Sequence, residues 1–213
     1  KLCGMGRTNF HIKCEGHMGK NFSCNNMGQR KKSDFYETPY SLTEQFLQVF
    51  PWLNVKTVLE PAAGDGAITK VVERFALGSV EAYDPMTHEG YDFLSHSFDK
   101  KYDLVITNPP FSLAEQFIKK AKAVSKRYVA FLLPLSYLHG KGRYDRVYTD
   151  LTFPLREVLV FTRYPMLGEP LREDGKYHTG MMVYAWYLWD KEYEGKPTIS
   201  WLDNNEYVLK KND

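Results

Sequence analysis

Four consecutive residues, Asn108-Pro109-Pro110-Phe111, join two hydrogen-bond acceptors to a stiff backbone and an aromatic ring. An aromatic amine such as that of adenine is a poor nucleophile, because its lone pair is delocalised into the ring. The Asn108 side-chain oxygen and the Pro109 carbonyl can accept its two N–H groups and favour the pyramidal geometry from which it attacks, a form of preorganised electrostatic catalysis. The prolines fix the backbone and Phe111 offers a face on which a base can stack. No strong base is needed, since an alkylated cationic amine loses its proton readily. A second group is Glu60-Pro61-Ala62-Ala63-Gly64-Asp65-Gly66, whose two glycines let the backbone approach a ligand closely. Asp84-Pro85 follows, with the acid 20 residues beyond Gly64, where a carboxylate can accept hydrogen bonds from a ribose diol.

These groups do chemistry only if elements bring them together. Each follows a short apolar run: 57–60, 80–84 and 102–107 read as strands. In an open α/β sheet, ligands bind beyond the carboxyl ends of the strands. Residues 67–76 read as the helix after the glycine turn. Ser41-Leu42-Thr43-Glu44 and Ser112-Leu113-Ala114-Glu115 are capping boxes that predict helices starting at Ser41 and Ser112, the first ended by Pro51. Residues 128–133, 156–161 and 181–189 add three strands. Strands alternating with helices imply a mainly parallel sheet covered on both faces. No helix pattern separates the last two strands, which predicts an antiparallel pair at the sheet edge.

The set Asp34 to Pro39, Val58 to Gly66, Tyr83-Asp84-Pro85, Asp92-Phe93-Leu94 and Asn108 to Phe111 resembles the S-adenosylmethionine-dependent DNA N6-adenine methyltransferases, in their small phage and prophage form. The resemblance covers residues 34 to 190 and implies a class I, Rossmann-like α/β fold: a mainly parallel seven-stranded sheet with an antiparallel edge strand and helices on both faces. It implies Asn108, Pro109, Pro110 and Phe111 as catalytic residues. It assigns Tyr36, Thr38, Pro39, Glu60, Ala62, Gly64, Asp84, Pro85, Asp92, Phe93 and Asn108 to the cofactor, S-adenosyl-L-methionine. DNA is the implied substrate. An RNA adenine methyltransferase shares the catalytic turn. A protein glutamine methyltransferase, whose family resembles Asn-Pro-Pro-Tyr at this turn, and a silent nucleic-acid-binding subunit are further alternatives.

Family members that read a defined site usually add a recognition domain, for which neither 92–108 nor the residues after Trp189 have room. Recognition is therefore expected on 136–153 and 162–180. Lys141, Arg143 and Arg146 in the first and Arg163 in the second are candidates for phosphate contact.

The 213 residues carry 28 Lys and Arg against 26 Asp and Glu, a net charge of +2 that by itself suggests no partner. Resolved along the chain, the balance is uneven. Residues 1–32 hold seven basic side chains against Glu15 alone, or +6, which leaves −4 for the rest. That first stretch also holds Cys3, Cys14 and Cys24, and few aliphatic residues. Its expected organisation is a basic arm over 1–33, ahead of a methyltransferase domain over 34–195 and an extension over 196–213. Cys3, Cys14, His17 and Cys24, with His11 nearby, would suit a tetrahedral zinc site, but their spacing matches no standard finger, and no metal is the expectation. An odd cysteine count without a disulfide pattern favours a reducing compartment, hence the cytoplasm of a bacterial or phage-infected cell. No apolar run approaches the roughly 18 residues of a membrane span.

Overall fold

The structure is a computed structural model that describes residues 38–50, 52, 54–163, 165, 172–173, 178 and 182–203. Its centre is one seven-stranded sheet. In chain order the main elements are α1 (Tyr40–Val49), β1 (Thr57–Glu60), α2 (Ala67–Arg74), β2 (Ser79–Ala82), β3 (Tyr102–Thr107), α3 (Ala114–Val124), β4 (Ser125–Pro134), β5 (Leu155–Phe161), β6 (Tyr184–Asp190) and β7 (Thr198–Leu202). The strand order is β2-β1-β3-β4-β6-β5-β7. β6 alone runs antiparallel to its neighbours β4 and β5, while the other pairings are parallel.

Period-two alternation splits each central strand between two cores. Leu59, Val105, Val129, Phe131, Leu133, Tyr187 and Trp189 face α3, whose Ala114, Phe117, Ile118 and Ala121 complete that layer. Val58, Leu104, Ile106, Ala130, Leu132, Trp186 and Leu188 face α1 and α2, through Leu42, Phe46, Ile68, Val71 and Val72. The Phe46 ring stacks on Trp186 at 4.6 Å, and the Trp186 indole N–H donates to the Leu42 carbonyl at 3.1 Å. Two acids tie strand starts together. Asp103 accepts from the Lys56 and Thr57 amides and the Thr57 hydroxyl. Asp190, 1% exposed, pairs with Arg127 at 3.2 Å and Arg156 at 2.8 Å, joining β4, β5 and β6.

Several expectations are corrected. The antiparallel strand β6 lies inside the sheet, between β4 and β5, and β7, at 198–202 in the stretch expected to be an extension, pairs parallel with β5 and forms the edge. The boundary expected at residue 195 therefore cuts the sheet. Neither capping box forms: α1 is entered from Pro39 and α3 from Leu113, with no side-chain cap on either. Pro39, at φ −57°, sets the chain into the helix one residue early. A 3-10 turn at Phe111–Leu113 absorbs Ser112.

Candidate active site

The carboxyl ends of β1, β2, β3 and β4 and the start of the antiparallel β6 fall along one edge of the sheet. Residues 61–66 turn there. Gly64 (φ 57°) and Gly66 (φ 82°) both lie in the left-handed region that a side chain disfavours, and Gly66 opens α2. The turn is pinned from β2: the Ala63 amide donates to the Tyr83 carbonyl at 2.9 Å, and the Gly64 amide to Asp84 Oδ2 at 2.9 Å. Asp84 Oδ1 accepts from the Met86 amide at 2.8 Å. Asp84 thus braces the glycine turn, and each of its oxygens keeps a lone pair for a further donor.

Glu60, the last residue of β1, is 1% exposed. Its carboxyl accepts from the Thr69 hydroxyl in the first turn of α2. Burial pushes its pKa up to about 8, against the opposing pull of the Thr69 bonds and with help from Asp65 and Asp84. Among the described residues no cation pairs with it. A buried carboxyl beside two further acids is matched to a ligand that brings positive charge.

At the end of β3, the Asn108 amide nitrogen donates to Thr38 Oγ1 at 3.1 Å across 70 residues of sequence. Thr38 is itself buried, just ahead of α1. With the nitrogen so held, the Asn108 side-chain oxygen is turned the other way. The Pro110 carbonyl takes the Leu113 amide at 2.9 Å, which starts the 3-10 turn and leaves the Pro109 carbonyl outside that bond. Pro109 is buried, and the half-buried Phe111 ring lies 5.9 Å from Tyr184 at the start of β6.

Other candidates fall elsewhere. Phe93 is 2% exposed and packs against Phe117 and Phe98, so its ring belongs to the core and only its backbone can meet a ligand. Asp92 is exposed and organises the turn after it, accepting from the Ser95 hydroxyl and Leu94 amide, which lower its pKa. Ala62 lies half-buried in the glycine turn, and Pro85 is exposed beside Asp84. Arg143 donates to the carbonyls of Tyr137 and His139 and lies 4.8 Å over the Tyr137 ring, which ties it to its own loop. Arg146 pairs with Glu115 and Lys141 with Asp145, while Arg163 is exposed at the end of β5. Tyr36, the cysteines, His11 and His17 and most of 162–180 lie outside the described residues. Among the described residues, no cluster of His, Cys, Asp and Glu is suited to a metal, and no helix is long and apolar enough to cross a membrane.

Sequence reading missed the aromatic wall beside Asp84. Tyr83 stacks on Tyr91 at 5.1 Å, and His96 and Phe98 pack around them. The density of rings between 83 and 98 was its only signal. Tyr184 was missed as well, since nothing in the linear order places it against Phe111.

The seven-stranded, mostly parallel sheet with helices on both faces is the class I methyltransferase fold. A Listeria monocytogenes protein described as a class I S-adenosylmethionine-dependent methyltransferase superposes with a TM-score of 0.50 at 17% identity, over 79% of this chain and 65% of its own. The methyltransferase subunit of a type I restriction-modification system from Streptococcus thermophilus gives 0.51 at 12% identity, over 75% and 45%. An Agrobacterium tumefaciens protein described as an O-methyltransferase gives 0.52 at 15%, over 77% and 86%. The chain thus spans less than half of the type I subunit and just under two thirds of the Listeria protein. No family model matches the sequence. No curated protein matches it either.

Proposed function

We propose that this chain transfers a methyl group from S-adenosyl-L-methionine to the exocyclic amine of adenine in DNA. The observation that carries the reading is the placement of Asn108–Phe111 on the same sheet edge as the glycine turn, with Asn108 oriented by Thr38 and Phe111 set against Tyr184. The residues present suit the cofactor. Glu60 is a buried acid lacking a cation among the described residues, Gly64 and Gly66 open the backbone, and Asp84 keeps acceptor capacity for a ribose. When bound, the cofactor supplies an electrophilic methyl on a sulfonium.

The rest is done by the chain. Asn108 Oδ1 and the Pro109 carbonyl accept the amine hydrogens and draw the nitrogen toward a pyramidal shape. Phe111 and Tyr184 hold the base plane, and a base taken from a duplex must first leave the stack. Pro109 and Pro110 keep the acceptors from yielding as the charge develops. The type I methyltransferase subunit among the structural neighbours supports a nucleic-acid substrate.

The test is incubation with labelled cofactor and unmethylated duplex DNA, single-stranded DNA or RNA, followed by nucleoside analysis. Label in N6-methyladenine from DNA is expected. Label confined to RNA favours the RNA enzyme, and no label in DNA, RNA or added protein returns the chain to a binding role.

A further inference from the structure

Arg146 and Glu115 meet across 31 residues of sequence. Two guanidinium nitrogens face the two carboxylate oxygens, Nη2 to Oε2 at 3.1 Å, in the fork geometry that grips a carboxylate or a phosphate equally well. Glu115 is the second residue of α3, four beyond Phe111. Arg146 comes from the π-helical turn Tyr144–Tyr148, which continues the single helical turn Lys141–Arg143.

The guanidinium lies across Gly142, where a Cβ would come within 2.8 Å of Nη2 and 3.0 Å of Nη1. A side chain at 142 would have to push the tip of Arg146 aside. The pair itself stabilises little, since its side chains are 62% and 37% exposed. Arg146 holds the Glu115 carboxyl below its ordinary range. A fork seated over a glycine, at the rim of the catalytic turn, is thus closed by an acid that is easily displaced.

We propose that Arg146 is a phosphate contact for the nucleic-acid strand and that Glu115 occupies its fork until a backbone phosphate takes the carboxylate's place. The proposal rests on the nucleic-acid reading above. The exchange swaps one oxyanion for another at the same two N–H groups, and the released carboxylate turns to water. Neighbouring charges follow the same plan, with the exposed Lys141 paired to Asp145. Guarding of this kind weakens indiscriminate grip on phosphate.

Equilibrium binding of a short DNA duplex to the full chain tests it, across a salt series, in wild type, Glu115→Gln, Arg146→Ala and the double variant. Glu115→Gln is expected to bind about fivefold tighter at moderate salt, with a log–log salt slope steeper by about one unit. The double variant should bind no tighter than Arg146→Ala alone. Unchanged affinity in Glu115→Gln, or an equal gain in the Arg146→Ala background, overturns the guarded site and leaves the nucleic-acid reading standing. A wild-type chain that neither binds nor methylates nucleic acid at low salt overturns both.

Discussion

The Asn108 carboxamide is oriented by what holds it. Thr38 takes its nitrogen, so the oxygen is aimed without help from any ligand. Asn108→Ala should lower the rate of methyl transfer by about 100-fold or more while cofactor affinity holds, as loss of one preorganised polar group does elsewhere. Thr38→Ala, which removes the brace on the Asn108 nitrogen, should cost about tenfold in kcat. Glu60 makes a prediction about pH. Its folded pKa of about 8 lies above the ordinary 4.5, so folding takes up a proton between those values. The stability Glu60 contributes is complete below pH 4.5 and is lost as pH rises through about 8. Urea unfolding of the ligand-free chain should show that decline, and Glu60→Gln should flatten it. A cationic ligand beside Glu60 reverses the preference, so cofactor binding near neutral pH should release a proton. Calorimetry in buffers of different ionisation enthalpy reads that proton, and Glu60→Gln should abolish it.

Among the elements, β6 carries the most burden. Six of its seven residues are buried, and it brings Tyr184 to the edge that carries Asn108–Phe111 and Asp190 to the opposite one. Asp190 is shared by Arg127 of β4, which also pairs with Glu192 at 2.9 Å, and Arg156 of β5, and those arginines also cover the Tyr128 and Phe50 rings. Asp190→Ala should leave two half-buried cations without this shared partner, Arg127 keeping Glu192, and lower the unfolding free energy by about 1–2 kcal/mol, measured by urea titration. Because the damage is at the far edge, cofactor affinity of the folded fraction should be unchanged. α3 is fastened in a similar way. Lys122, 11% exposed, pairs with Asp150 at 2.9 Å and lies over the Phe153 and Trp189 rings, and burial lowers its pKa. The helix that follows the Asn108–Phe111 turn is therefore clamped to the chain entering β5.

For the whole molecule, charge is divided along the sequence. The first 32 residues carry +6 and the remainder −4, the latter including the acids Glu60, Asp65 and Asp84 around the glycine turn. Phosphate repels the second part and is attracted by the first. Deletion of residues 1–26 should raise the Michaelis constant for DNA several-fold at moderate salt and flatten its salt dependence, with cofactor affinity unaltered. Equal DNA affinity with and without the stretch would mean that the asymmetry plays no part in binding.

Local order was legible wherever the physics is local. The glycine turn, the acid after β2 and the Asn108–Phe111 turn each follow an apolar run of strand length, so their shared edge could be read from alternation alone. Starts of helices were misread because a capping box is a competition: Pro39 and the 3-10 turn after Pro110 decide those starts before any serine side chain can. Phe93 had the right neighbours in sequence for a ligand contact, yet burial against Phe117 claims its ring. β7 was missed because a five-residue strand becomes an edge only when a partner, here β5, is already in place. The residue types and their order were thus determined by sequence: acids and glycines for a cationic ligand, and polar acceptors with a ring for a planar amine. Only tertiary structure decided which side chains are already spoken for, since pairings such as Asn108 with Thr38, Arg146 with Glu115 and Phe111 with Tyr184 span tens of residues. Hydrogen bonds and ring contacts act over a few ångströms of space, and the distance along a chain does not encode that separation.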